Sequence, residues 1–145
     1  MTAVRLHPLF NALTPGSLFR HYRLLEQIGV GGQGVVWSAV DQDQSWIHAI
    51  KFNEVPETDE AEADDLRDER QLEKLVKLQH AHILPVLEYG FEAQMRFTVS
   101  PYLPGGTLAQ KIRAAPLSID EIVRYGTEIA SALDYLHGQG IIHRD

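Results

Sequence analysis

The chain has 145 residues, of which 44% are hydrophobic, and its formal net charge is −7. This length suits a single domain with a core of ordinary size. The sequence contains no cysteine, which excludes disulfide bonds and thiolate metal sites, and no apolar run approaches the roughly 18 residues that indicate a membrane span. The first ten residues lack the pattern of a signal peptide, so we expect a cytoplasmic location. An acidic chain without a basic stripe also argues against nucleic-acid binding.

The negative charge is concentrated in one segment. Residues 54–70 contain nine carboxylates and two arginines, and the charges of the remaining residues cancel. Such a run is typical of a solvated connector, and we interpret residues 54–65 in this way. A docking site for a basic partner is the alternative interpretation.

Strand-like and helical segments follow one another in a definite order. Residues 1–20 are expected to form a loosely ordered, flexible leader. Three strand-like runs joined by short turns then predict an antiparallel meander: Leu24–Ile28, Val35–Val40 and Trp46–Phe52. Trp37 and Trp46 lie on these runs and are interpreted as packing residues. A helix is expected at about residues 66–79, and two more strands follow at Ile83–Tyr89 and Arg96–Val99.

Helices are predicted for the rest of the chain. A short helix is expected from Leu108 to Arg113, and a long helix begins at Ser118, which forms a capping box with Glu121. The long helix has an apolar stripe made of Ile119, Ile122, Val123, Ile129, Ala130, Leu133 and Leu136. An exposed stripe of this size is unusual, so we expect residues 118–137 to pack onto the strands, to self-associate or to be poorly ordered. The whole pattern predicts an α+β fold, in which a five-stranded antiparallel sheet with one inserted helix is followed by helices.

A glycine-rich motif follows the first predicted strand. Gly29, Gly31 and Gly34 fit the pattern G-x-G-x-x-G, which is weak evidence alone because dinucleotide-binding folds share it. A dinucleotide site needs a helix after the third glycine, but residues 35–40 are mostly β-branched or aromatic and favour a strand. The glycines therefore predict the tip of a β-hairpin whose backbone can approach phosphate groups. An ordinary glycine-rich hairpin is the alternative.

Two further motifs follow the glycines. Lys51 lies on the third predicted strand, 22 residues after Gly29, and the printed sequence ends in His143-Arg144-Asp145. A glycine loop, a strand lysine and this tripeptide, in that order, resemble the protein kinase family. The resemblance covers about residues 20–145, and the sequence around the glycines is most similar to that of bacterial Ser/Thr kinases.

The resemblance implies that the nucleotide is ATP and assigns residues to it. Ile28, Val36 and Ala49 would form the apolar walls around adenine. The three glycines would approach the phosphates, and Lys51 would bind the α- and β-phosphates.

The same resemblance identifies residues 99–103 as the hinge. Adenine would hydrogen bond to the carbonyl group of Pro101 and to the amide group of Leu103, a role in which Pro101 needs no N–H. Ser100 would occupy the gatekeeper position, and Thr107 would lie near the ribose.

Asp145 would be the catalytic base that accepts the proton of the substrate hydroxyl. By the same resemblance, the aspartate that holds Mg²⁺ and the rest of the substrate-binding lobe follow the catalytic loop, so we assign no metal ligand within these residues. The 145-residue chain is therefore expected to be catalytically inactive by itself.

One position departs from the family pattern. Active kinases pair the strand lysine with a glutamate on the inserted helix. Counting nine residues back from His80, which resembles the family's histidine between helix and strand, leads to Gln71, and the apolar Leu75 four residues later supports this alignment. A glutamine accepts a hydrogen bond from Lys51 but lacks the charge. In an alignment shifted by two residues, Glu69 or Glu73 would take this position.

These features predict the ATP-binding portion of a Ser/Thr protein kinase, with the N-lobe at residues 21–103 and the beginning of the C-lobe at residues 104–145. A protein substrate would bind through the rest of the C-lobe. The alternative is a pseudokinase-like nucleotide-binding, scaffold or regulatory module, and Gln71 is the best argument for it.

Overall fold

The computed structural model of the chain describes residue 10 and residues 12–31, 34–54, 73–92 and 95–143. These residues form two compact units. The first unit contains the residues up to Lys77 together with Pro85–Tyr102, and the second contains Leu78–Leu84 together with the residues from Leu103 onward.

The first unit is built on one antiparallel sheet of six strands. The strands are β1 (Leu18–Phe19), β2 (Tyr22–Gly31), β3 (Gly34–Asp41), β4 (Ile47–Glu54), β5 (Glu88–Glu92) and β6 (Met95–Pro101). Their order across the sheet is β1-β2-β3-β4-β6-β5, so β6 lies between β4 and β5. The prediction of an antiparallel sheet is confirmed, but the sheet has six strands and not five.

One face of this sheet forms the core. Because successive side chains of a strand point to opposite faces, alternate residues of β3, β4 and β6 contribute to it. The largest fully buried side chains are Phe52, Phe97, Leu24, Ile50, Val35 and Val99. Trp37 is also buried, as expected, but Trp46 is 68% exposed at the turn before β4 and does not pack in the core.

Residues 12–20, which the sequence assigned to a loosely ordered leader, are part of the fold. β1 pairs with the beginning of β2, and Phe10 and Phe19 are buried in the core. The Phe19 ring meets Phe52 and Phe97 edge to face at centroid distances of 4.8 and 4.9 Å. Such contacts stabilise aromatic pairs beyond the burial of their area.

Arg20 connects the β1–β2 turn to β5. Its guanidinium forms ion pairs with Glu88 at 2.6 Å and with Glu92 at 3.0 Å, and it lies 4.5 Å from the centroid of the Phe97 ring. Tyr22 donates a hydrogen bond to Glu88 at 2.9 Å, and burial, followed by this bond, raises the pKa of the Tyr22 hydroxyl. β1 and β5 are the two edge strands in the sheet order, so these contacts show that the sheet is strongly curled.

Two elements begin or end at positions other than those predicted. The strand predicted at Ile83–Tyr89 begins only at Glu88 and continues to Glu92. Pro85 has no N–H to donate to a ladder, and Leu84 and Leu87 are exposed. The inserted helix, predicted to end near residue 79, is helical at residues 73–76 within the described part, and its earlier residues, together with most of the acidic connector, lie outside the described residues.

The second unit contains two helices with well-formed N-termini. The short helix is Leu108–Ala114 and the long helix is Ile119–Gly138. The capping box predicted at Ser118 and Glu121 is confirmed, and Lys111 joins the two helices through an ion pair with Glu121 at 2.9 Å. No helix in the described ranges is long and apolar enough to cross a membrane.

The segment Leu78–Leu84 is held against the long helix. The His80 ring stacks on Tyr135 with a centroid distance of 5.1 Å, and its Nε2 lies 3.1 Å from the Ser131 hydroxyl oxygen. Nδ1 of His80 accepts a hydrogen bond from the His82 amide, so the ring proton lies on Nε2 and is donated to Ser131. The Gln79 amide donates to the Tyr135 hydroxyl oxygen at 3.3 Å.

Much of the apolar stripe on the long helix is exposed in the isolated chain. The exposed members are Ile119, Ile122, Val123, Ile129 and Ala130, whereas Leu136 is buried. The segment Ile119–Gly138 is one continuous helix. Self-association through this face stays a prediction.

Two glycines should respond in opposite directions to the same substitution. A Cβ at Gly90 would lie 2.9 Å from an atom of the buried Phe97 ring, so Gly90→Ala should lower the free energy of unfolding by about 1–3 kcal/mol. A Cβ at Gly126, inside the long helix, would meet nothing within 4 Å, and Gly126→Ala should raise helix stability by about 1 kcal/mol. Urea unfolding followed by circular dichroism measures both, and equal effects would contradict the proposed packing around Phe97.

Glu121 should titrate far below an ordinary glutamate. The Ser118 amide and then Lys111 hydrogen bond to its carboxylate and lower its pKa from 4.5 to about 2. The ionised Glu121 carboxylate therefore stabilises the folded state fully above pH 4.5, and this contribution to the free energy of unfolding is lost as the pH falls toward 2. A carbon-detected NMR titration should give this midpoint, and Lys111→Met should move it upward but leave it below 4.5, because the Ser118 amide remains. A midpoint that does not respond to Lys111→Met would contradict the ion pair.

Candidate functional site

The glycine motif lies at the tip of the β2–β3 hairpin. β2 ends at Gly31 and β3 begins at Gly34, and the register pairs these two glycines with each other. Residues 32–33, between them, lie outside the described residues. A strand follows Gly34, so this loop is the hairpin that the sequence predicted and not the strand–helix turn of a dinucleotide site.

Gly34 is the position that requires glycine. Its φ is +128°, and a Cβ added there would overlap the carbonyl oxygen of Phe52 on β4. The absence of a side chain therefore lets the hairpin lie close to the next strand. Gly31 is different, because a Cβ there would lie within 4 Å of none of the described residues apart from its chain neighbours.

Lys51 lies in a row of residues that crosses four strands. The register pairs Gly29 with Val36, Val36 with Lys51, and Lys51 with Thr98. Residues paired directly across antiparallel strands point to the same face. The phosphate-binding candidate Lys51 therefore shares one face with Val36, directly beside the strand pair that carries the glycines.

A second row, two residues earlier on β4, lies parallel to the first. It pairs Ser38 with Ala49 and Ala49 with Ser100. Ala49 and Lys51 are two residues apart on one strand, so both rows lie on the same face. Val36, Ala49, Lys51 and Ser100 are all partly exposed, whereas the neighbouring Trp37, Ile50 and Val99 point into the core.

The two rows form a surface with distinct chemical parts. Val36 and Ala49 contribute small apolar side chains, which suit contact with a flat apolar ring. Lys51 contributes a cation at the end nearer the glycines, which suits a phosphate group. Ser100 contributes a small side chain at the far end, and Ser38 is buried with its hydroxyl donating to the Glu26 carbonyl oxygen at 3.3 Å.

Ile28 lies at an irregular position of β2. The register between β2 and β3 shifts between Gln27 and Gly29, so Ile28 is the extra residue of a bulge and is 40% exposed. Bulges redirect a side chain relative to the regular pleat. Ile28 is thus on the same strand as Gly29 but has no direct partner on β3.

The predicted hinge residues belong to both units. Pro101 is the last residue of β6 and pairs with His48, and the Tyr102 amide donates to the Ile47 carbonyl oxygen at 3.4 Å. Leu103 belongs to the second unit and is 63% exposed.

Thr107 has a structural role that the sequence analysis missed. Its hydroxyl oxygen accepts a hydrogen bond from the Gln110 amide at 3.2 Å, and the Thr107 amide donates to the Gln110 side chain at 2.7 Å. These bonds cap the short helix. The spacing of Thr107 and Gln110 is the signature of a capping box and is visible in the sequence.

Two site predictions lie outside the described residues, namely Gln71 and Asp145. The alignment of Gln71 and the catalytic role of Asp145 both stay predictions. Thr98, in contrast, is a residue of the site face that the sequence analysis missed, because its position beside Lys51 depends on pairing between β4 and the non-consecutive strand β6.

Comparisons with known proteins bear on the family and the fold of the chain. The model of the protein kinase domain family matches residues 22–145. The chain is 36% identical over 140 residues to a probable serine/threonine-protein kinase, PknB, of Lactococcus lactis, and covers 21% of its length. It is 33% identical over 134 residues to the serine/threonine-protein kinase PknJ of Mycobacterium tuberculosis, and covers 22% of that protein. These matches include 90% and 92% of the present chain, which thus spans about a fifth of the length of these curated relatives.

Solved structures give the same result for the fold. The crystal structure of the Mycobacterium tuberculosis PknI kinase domain superposes with a TM-score of 0.77 at 28% sequence identity. The match covers 92% of this chain and 54% of the PknI chain. The family match, the similar relatives and the shared fold together show that the chain belongs to the protein kinase family.

Proposed function

We propose that this chain is the ATP-binding portion of a Ser/Thr protein kinase that transfers the γ-phosphate of ATP to serine and threonine hydroxyls of proteins. The observation that carries the proposal is the row of Gly29, Val36, Lys51 and Thr98 across the sheet. This row joins a glycine hairpin, an apolar surface and a cation on one face, which are the three features that a nucleoside triphosphate requires.

The residues of the first unit fit ATP in chemical terms. The absence of a Cβ at Gly31 leaves the backbone open to a phosphate, and Lys51 provides a positive charge on the adjoining face. Val36 and Ala49 provide the apolar contact for adenine, and the small Ser100 leaves room beyond Ala49. When bound, Mg²⁺ would neutralise phosphate charge, and we assign its principal ligands to residues that follow the catalytic loop.

The remaining catalytic parts of the proposal rest on the family relationship. Asp145 would accept the proton of the substrate hydroxyl as this oxygen attacks the γ-phosphate. The protein substrate would bind to the remainder of the C-lobe. A cytoplasmic location belongs to the same proposal, because the reaction consumes ATP.

A second candidate function follows from Gln71. A glutamine in place of the glutamate that pairs with the strand lysine favours a nucleotide-binding regulatory or scaffold module. Both candidates bind ATP, so phosphoryl transfer by the whole protein distinguishes them. Transfer that is abolished by Lys51→Met supports the kinase, and ATP binding without any transfer supports the regulatory module.

ATP binding by the purified chain tests the nucleotide site directly. We expect saturable binding in a calorimetric titration with ATP and Mg²⁺. Lys51→Met should weaken it about tenfold or more, since a hydrogen bond to a charged group contributes about 1.5–3 kcal/mol. Lys74→Met is the matched control, because Lys74 is an exposed lysine on the inserted helix and should leave the affinity unchanged. A folded chain that binds no ATP, or equal effects of the two substitutions, would refute the proposal.

Two glycine substitutions should separate folding from nucleotide binding. Gly31→Ala adds a methyl group that meets no atom of the described residues beyond its chain neighbours within 4 Å, so the melting temperature should stay constant while the ATP affinity falls. Gly34→Ala should lower both, because its φ of +128° and the Phe52 carbonyl group oppose any side chain. Unchanged ATP affinity in Gly31→Ala would show that phosphates do not approach this backbone.

A further inference from the structure

A cluster of metal-ligating side chains lies at the end of the sheet that is remote from the glycine hairpin. It consists of His21, which immediately precedes β2, Asp41 at the end of β3, and Asp43 in the following turn. The register pairs Tyr22 with Asp41 at this end and Gly31 with Gly34 at the other. Ten residues of β2 separate the two ends, a distance of roughly 30 Å at the rise of a strand. The cluster is therefore separate from the proposed nucleotide site.

The potential ligand atoms of this His21 cluster converge. Each residue offers one nitrogen or carboxylate oxygen, and these atoms lie within 4.8 Å of one another. Nε2 of His21 lies 3.9 Å from Oδ2 of Asp41. Two ligands that bind one tetrahedral ion at about 2.1 Å are roughly 3.4 Å apart, so small side-chain rotations bring these atoms to coordination distance.

Asp41 is held in a fixed orientation by the backbone. It is only 4% exposed, and its Oδ1 accepts hydrogen bonds from the amides of Asp43 at 2.8 Å and Gln44 at 3.1 Å. Oδ2 is the atom that lies toward His21. Hydrogen bonds that orient a carboxylate from behind are the arrangement that supports metal ligands in proteins. His21 and Asp43 are more exposed and leave the site open to solvent.

A second observation concerns the adjoining His48. Its ring packs edge-on against Tyr22, the residue that follows His21, at a centroid distance of 5.7 Å. Among the described residues, the buried Nδ1 atom of His48 has no hydrogen-bond partner. Buried polar atoms are nearly always paired, so this nitrogen offers a position for a bound water. It is not one of the ligand atoms of the cluster.

We propose that His21, Asp41 and Asp43 bind a zinc ion, with water at the fourth position. One imidazole nitrogen and two carboxylate oxygens suit zinc, whereas magnesium and calcium prefer oxygen ligands alone. The ion joins the residue before β2 to the turn after β3, and thereby fixes the base of the hairpin whose tip carries the glycines. The competing interpretation is a simple ion pair between His21 and Asp41, which needs no metal.

Zinc titration of the chain, prepared without a histidine tag, tests the proposal. Calorimetry should show one zinc ion per chain, and cobalt substituted at the same site should give the absorption bands of a tetrahedral ion. His21→Phe keeps a ring against Tyr22 but removes the nitrogen, and Asp43→Asn removes a charged oxygen. Each should weaken zinc binding about tenfold or more. Asp41 is left intact because its carboxylate also holds the turn.

The control and the folding check make the outcome decisive. His137→Ala removes an exposed histidine in the last turn of the long helix and should leave zinc binding unchanged. The variants should melt at the parent temperature in the presence of a chelator, and zinc should raise the melting temperature of the parent and of His137→Ala only. Absence of a saturable site, or equal zinc affinity in the parent, His21→Phe and Asp43→Asn, would overturn the proposal. ATP is absent from these measurements, so their result does not depend on the nucleotide site.

Discussion

The two-residue period of the antiparallel strands is the constraint on which both the core and the candidate site depend. Ile50 and Phe52 are fully buried, and Lys51 lies between them on the opposite face. A slip of one residue in β4 would bring the lysine into the core and expose both apolar neighbours. A buried unpaired charge is far more costly than any single site contact can offset. The hydrophobic core therefore determines on which face Lys51 lies. The positions of the site residues depend in this way on packing at the other face of the sheet.

Phe97 on β6 contacts residues of both edge strands of the sheet. Its ring contacts Phe19 edge to face, lies under the Arg20 guanidinium, and leaves no room for a side chain at Gly90. These neighbours come from both edge strands and from the turn after β1. The aromatic contacts and the ion pairs of Arg20 thus hold the two edges of a curled sheet together, and the residues before β2 complete the core.

Local sequence patterns predicted the features that depend on local physics. The glycine hairpin followed from the strand propensity after Gly34, and the capping box at Ser118 and Glu121 needs only residues that are three apart. β1 was missed because two residues are too few to show a period. The strand before β6 was predicted too early in the chain, because residues 83–87 are mostly apolar and resemble a strand. The strand in the structure, Glu88–Glu92, has a charged residue at each end.

Features that depend on distant pairing could not be predicted from such patterns. Thr98 stands beside Lys51 only because β6 inserts between β4 and β5, an order that no local signal specifies. Trp46 has a large aromatic side chain of the kind found in protein cores, but it lies at a tight turn and is exposed. The exposed stripe of the long helix shows the same limit, because a helical period identifies an apolar face and says nothing of what covers it.

The assignment of Leu78–Leu84 to the second unit has a consequence for how this chain can be divided. The chain passes between the units three times, after Lys77, after Leu84 and after Tyr102. A gene cut after residue 102 would leave His80 without Tyr135 and Ser131, the residues on which it stacks and to which it hydrogen bonds. The first unit is therefore not a detachable N-terminal half. A recombinant version of it would have to replace or redesign the seven residues of this segment, and a protease that cleaves once at the apparent boundary would not release either unit intact.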